Sequence, residues 1–279
     1  MKKISHHLDK PLFGAILFIG LMAAVGATAA HAQDTVREYS PLVTTTGPNV
    51  LGAGHIQWNS SLEYHHMGAN GTNMNYNSHS FGLQTGLRFG IGSRAELTVD
   101  LGGAYNTFDT VNFHNTTSFI PAVGAKLLLS EGKGWLPQTS FFTHVAAPVG
   151  QNAYNDKWYT IVQPEIGFQF RNRLGNSFLL DYSLGYSWNR YTDASSIDMS
   201  NQIQYSLYLR WLHSERQMAS IGVSNRNSIH TPTVDLEYRN LLRDDLQLTV
   251  ALSAAAGYGD EAGLVDKIHG LVGLSWMIK

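Results

Sequence analysis

The amino-acid sequence predicts an all-β fold: a single antiparallel up-and-down transmembrane β-barrel of about twelve strands. Apolar and polar residues alternate, the period of a strand whose two faces meet different surroundings. The alternating stretches reach the roughly 9–11 residues needed to cross a bilayer, against about 5–6 in an ordinary soluble strand. Their connections are alternately short and long, the asymmetry of the two rims of a membrane barrel.

In chain order, the strands are read at 54–65, with Trp58 and Tyr64 on the apolar face and Glu63 opposite; at 79–89, with Phe89 against Arg88; and at 94–105, with Tyr105 against Glu96 and Asp100. Next come 118–129, carrying Lys126 on its polar face, then 137–147, then 159–170, with Phe170 set against Glu165. The clearest strand is 177–188, where Phe178, Leu180, Tyr182, Leu184, Tyr186 and Trp188 oppose Asp181, Ser183, Gly185 and Ser187. At 202–211, Ile203, Tyr205, Leu207, Leu209 and Trp211 alternate with Gln202, Gln204, Ser206, Tyr208 and Arg210. Strands at 217–226 and 233–239 follow, the latter with Asp235 and Glu237 inside. At 245–258 Leu246, Leu248, Val250 and Leu252 face away from Gln247, Thr249, Ala251 and Ser253, and 268–278 closes the set with Trp276. A helix would place apolar residues three and four apart, which these segments do not do.

The expected short turns are 90–93, 130–136, 171–176, 212–216 and 240–244, and the long connections 66–78, 106–117, 148–158, 189–201 and 259–267. Aromatics gather towards the strand ends, as interfacial girdles require: Tyr64, Tyr105, Tyr186, Trp188 and Tyr258 near the long loops, and Trp58, Phe89, Phe170, Phe178, Trp211 and Trp276 near the short turns. The opposite faces carry charges of both signs in mid-strand, which suits a polar lumen rather than a soluble protein's core.

Composition agrees. Charged residues make up 14% of the 279, aromatics 11%, and there is no Cys; soluble domains average about 25% charge. Lys2, Lys3 and Lys10, the apolar run 12–25 and Ala30-His31-Ala32 read as a secretory leader over 1–32, cleaved before Gln33. Losing those three Lys together with Asp9 takes the formal net charge from −2 to −4, which excludes a basic nucleic-acid binder. An exported chain without Cys is no disulfide scaffold, thiol enzyme or lipoprotein acylated on Cys. Beyond the leader no apolar run reaches the roughly 18–20 residues of a membrane helix, so any crossing rests on strands. Residues 33–53, polar and containing Pro41 and Pro48, read as a plug folded into the lumen or as a periplasmic tail. The barrel is expected over 54–279.

Several stretches resemble a known family: "GAGHIQWNSSLEY" at 52–64, "LRFGIGSRAELTVDLGG" at 87–103, "IPAVGAKLLLSEGKGWLPQTSFFTHVAAPVG" at 120–150, "PEIGFQF" at 164–170 and "LGYSWN" at 184–189. These are similar to the outer-membrane transporter family associated with the meta-cleavage pathway of phenol degradation. In that family a strand ends in an LRYG-like turn, the next opens with an E-L pair, and a PAVGxK strand precedes a Gly-rich turn. The resemblance implies passage of small organic, often aromatic, compounds across the outer membrane of a Gram-negative bacterium. It carries over no site residues.

The candidate lumen-lining residues are Arg88, Glu96, Asp100, Lys126, Glu165, Asp181, Arg210 and Glu237. They read either as a constriction that selects solutes or as cross-strand pairs that staple a narrow barrel. His65, His66 and His79 flank the first long loop, yet a metal needs a convergent set of three or four ligands, so solvated histidines are the expectation. No nucleophile–base–orienter set can be named around "NSHS" at 77–80 or Ser183, and "GIGSR" at 90–94 joins two strands, with no helix to bind a phosphate. No enzyme, cofactor or metal is therefore expected. The expected partners are outer-membrane lipid and small organic solutes, with a monomer favoured. The alternatives are a structural or adhesive barrel with a closed lumen and, third, a lipid-modifying enzyme.

Overall fold

The computed structural model describes residues 47–70, 75–109, 113–151, 158–188, 190–191, 202–225, 232–259 and 263–278. The leader at 1–32, the first part of the 33–53 segment and most of the 189–201 connection lie outside the described residues.

Fourteen strands follow in chain order: β1 (Ile56–Asn70), β2 (Asn75–Ile91), β3 (Ala95–Phe108), β4 (Thr116–Ser130), β5 (Gln138–Ala146), β6 (Val149–Gln151), β7 (Trp158–Leu174), β8 (Phe178–Ser187), β9 (Arg190–Tyr191), β10 (Gln202–Leu212), β11 (Gln217–Ser224), β12 (Thr233–Arg243), β13 (Leu246–Gly259) and β14 (Gly263–Ile278). They make twelve staves. β6 continues β5 beyond Ala147-Pro148, pairing with the same neighbours, β4 and β7. Pro148 at the break has no N–H to give the ladder. β9 likewise continues β8 along β7.

The wall closes on itself. β1 pairs with β2 on one side and with β14 on the other, from Ile56↔Ile278 to Asn70↔Leu264, and all neighbours run antiparallel. Among the described residues closure leaves no stave at a free edge, the condition for strands in hydrocarbon.

Leu62, Phe81, Leu83, Val123 and Ile221 are all more than half exposed, whereas Arg210 and Asp181 are fully buried. A soluble protein would show the reverse. The outward apolar surface is thus a lipid-facing wall, and the polar face fills the inside.

The twelve expected strands are all present, but the ladders outrun the alternation. The loop expected at 66–78 shrinks to 71–74, because β1 and β2 continue through it. Tyr64, Phe81 and Tyr105 stand side by side in register on the outer face. Beyond them the same face carries His66 and His79, with rings 4.9 Å apart, and the Tyr64 hydroxyl lies 2.8 Å from His79 Nδ1. Past the aromatic girdle the outer face no longer needs to be apolar, so the backbone pairing persists where the pattern stops. For the same reason β14 begins at Gly263, inside the loop expected at 259–267.

At the other rim β7 runs to Leu174, which puts Arg171 on the ladder rather than in a turn. β12 runs to Arg243, with a register shift between Leu241 and Arg243. The β12–β13 turn is tied down there: Trp276 Nε1–H donates to Asp245 at 3.0 Å and Arg243 pairs with the same carboxylate. The Trp276 hydrogen bond, aided by the Arg243 charge, holds the Asp245 carboxyl below the usual carboxylate range. Gly92 and Gly175 supply the positive φ, 71° and 72°, of the β2–β3 and β7–β8 turns.

Candidate functional site in the barrel lumen

Inward side chains fill the lumen near the short turns, and a cavity lies between described residues further towards the long loops. Two ionic networks fill the short-turn end.

One network spans β1 to β4. Arg88 and Glu96 face inward three or fewer residues from the β2–β3 turn, on strands whose even positions point inside. Their side chains meet at 2.6 Å, and Arg88 Nη1 donates to Gln57 Oε1 at 2.8 Å from the facing strand. Lys126, directly across from Glu96, lies 3.8 Å from its carboxylate. These groups also hold the chain that precedes β1. The Leu51 amide donates to Glu96 Oε2 at 2.8 Å, Lys126 Nζ donates to the Gly47 carbonyl at 3.0 Å, and Arg88 Nη2 reaches the Asn49 carbonyl at 3.5 Å. Pro48 and Leu51 are buried against them. Gly90 permits this approach, since a Cβ there would collide with the Gly52 carbonyl.

The second network crosses β7, β8, β10 and β12. Asp181 lies between Arg171 and Arg210, at 2.6 Å from each. Arg210 Nη1 also donates to Glu237 at 2.7 Å, and Arg239 pairs with Glu237 at 2.8 Å. The cations and anions alternate, so each buried charge has a partner of opposite sign. Beside them Tyr208, Ser224 and Thr233 all donate to Asp235.

Six of the eight candidate residues therefore fall into these networks: Arg88, Glu96 and Lys126 in the first, and Asp181, Arg210 and Glu237 in the second. The other two do not. Asp100 leans over Gly86 with its side chain 46% exposed, 3.9 Å from His144 rather than against an arginine. Glu165 sits half-buried across the ladder from His144. Arg171 falls within an expected turn and Arg239 at the end of an expected strand, so neither is among the candidates. Gly90 and the carbonyls of 47–52 gave no signal of their own.

The long-loop half holds a cavity of about 290 Å³, lined by Glu63, His65, Ser80, Gln84 and Ile120, with Gly82, Gly102, Gly103 and Ala104 between them. Small residues on β2 and β3 leave this space unfilled.

A family model described as "Putative MetA-pathway of phenol degradation" matches residues 42–260. No curated protein matches the chain's sequence. Among solved structures, an outer-membrane channel from Pseudomonas putida F1 is similar with a TM-score of 0.61 at 12% identity, over 85% of this chain and 100% of that one. The translocator domain of the autotransporter NalP from Neisseria meningitidis has a TM-score of 0.53 at 10% identity, over 96% and 97%. The β domain of the Bordetella autotransporter BrkA has 0.55 at 14%, over 79% and 98%. At these identities the likeness is one of fold.

Proposed function

This chain belongs to that phenol-degradation family, and from that premise we propose that it is an outer-membrane channel for passive passage of small aromatic compounds. The observation that carries the reading is the family match, which runs from the segment before β1 to just past the end of β13. The closed barrel with an apolar exterior supports it, as does the 290 Å³ cavity, which is near the lower end of ligand-sized spaces, roughly 300–1,000 Å³. The proposal includes export by the 1–32 leader, residence as a monomer in a Gram-negative outer membrane, and no catalytic role. In it the chain at 47–52 is a plug over the short-turn end, and Arg88, Glu96 and Lys126 are its dock.

One observation favours a second reading, a structural barrel with a closed lumen: the short-turn half is filled by the two ionic networks and the 47–52 strap. Liposome swelling separates the two. Proteoliposomes in isotonic hydroxybenzoate should swell well above protein-free vesicles, and far faster than in a disaccharide. Equal, background-level swelling in every solute would favour the closed barrel.

A further inference from the structure

We propose that Glu63, His65 and His269 form a binding site for a divalent transition metal on the lumen wall. Glu63 and His65 are two residues apart on β1, so both point inward, and His269 on β14 is the register partner of His65. One carboxylate oxygen, Glu63 Oε2, lies 3.3 Å from His65 Nε2 and 3.6 Å from His269 Nε2. All three ligand atoms fall within 4.8 Å of one another. In a tetrahedral site with bonds of about 2.0–2.1 Å, ligand atoms stand about 3.3 Å apart. The carboxylate-to-imidazole separations already match that spacing.

The ladder fixes the backbone of all three residues, and Ser61 Oγ donates to the other Glu63 oxygen at 3.2 Å, which orients the carboxylate. Glu63 and His269 keep only 11% and 15% of their side-chain surface exposed. Two imidazoles and one carboxylate select zinc and its neighbours over magnesium or calcium, which prefer all-oxygen sites. The imidazoles now stack in parallel with centroids 4.0 Å apart. Their lone pairs converge on one ion only when a ring turns, so loading includes a rotation of His65, the more exposed of the two. Glu63 and His65 line the 290 Å³ cavity, so the ion's fourth position opens towards it, within reach of an oxygen donor on a solute. Lys267, one rung nearer the long loops on the same face of β14, adds a like charge that weakens the site without blocking it.

The test is a zinc titration of the purified, tag-free barrel by calorimetry, and it requires no transport. Wild type should take up one equivalent, undisturbed by excess magnesium. His269→Ala and Glu63→Gln should each weaken binding at least about tenfold, while His79→Ala and His144→Ala should leave it unchanged. Heat-modifiable gel migration reports whether each variant has folded, and Glu63→Gln, nearly the same shape, stands in if His269→Ala does not. An absence of saturable zinc binding would overturn the proposal. So would full binding in both folded His269→Ala and Glu63→Gln, or loss of binding in His79→Ala, which would move the site to the His66–His79 pair outside the barrel.

Discussion

Adjacent residues on one strand of this wall meet opposite surroundings, and single substitutions read the difference. Leu83 is 53% exposed on the lipid face, while its neighbour Gln84 lines the cavity. Arg at a mid-membrane lipid-facing site costs about 2–4 kcal/mol, whereas a cavity-facing Arg keeps water. Leu83→Arg should therefore assemble poorly in vesicles and Gln84→Arg close to normally, as measured by the heat-modifiable fraction on gels. The buried charges behave differently again. Asp181 lies between Arg171 and Arg210, so Asp181→Asn takes a counter-charge from both while Arg210 retains Glu237. Breaking such a pair costs about 3–5 kcal/mol, which should lower the guanidinium midpoint of unfolding. Asp244→Asn, which breaks the exposed pair with Arg216, should change it by no more than about 1 kcal/mol.

At the scale of elements, the sequence carried the staves and lost their ends. Alternation is imposed only where one face meets lipid, so 177–188 and 202–211 were legible almost to the residue. The outer ends of β1 and β2 were not, because His66 and His79 lie past the girdle and obey no rule of polarity. The site was legible by half. Charges on the polar faces announced Arg88, Glu96, Asp181 and Arg210, but their partners depend on register, which alternation does not encode. His269 is invisible beside His65 until β1 and β14 close the barrel. The strap at 47–52 was readable as a plug or as a tail without a choice between them, since it is held through its carbonyls and the Leu51 amide. Gly90 is the position that should expose its role. Gly90→Ala places a methyl group against the Gly52 carbonyl and should displace the strap while keeping the ladder. If the strap is the plug proposed above, solute flux into proteoliposomes should rise several-fold; flux unchanged in a folded variant would remove the strap from the gating account.

On the scale of the whole molecule, the proposed function requires solutes to pass through this lumen rather than around the protein. The absence of Cys from the chain makes that requirement directly measurable, because one introduced thiol is unique. Gln84→Cys places it in the cavity and Leu83→Cys, one residue away, on the lipid face. The decisive measurement is hydroxybenzoate flux into proteoliposomes of each variant, before and after labelling with a bulky maleimide. Labelling Gln84→Cys should abolish most of the flux, and labelling Leu83→Cys should leave it unchanged. Flux that survives complete labelling of Gln84→Cys would contradict a lumenal path.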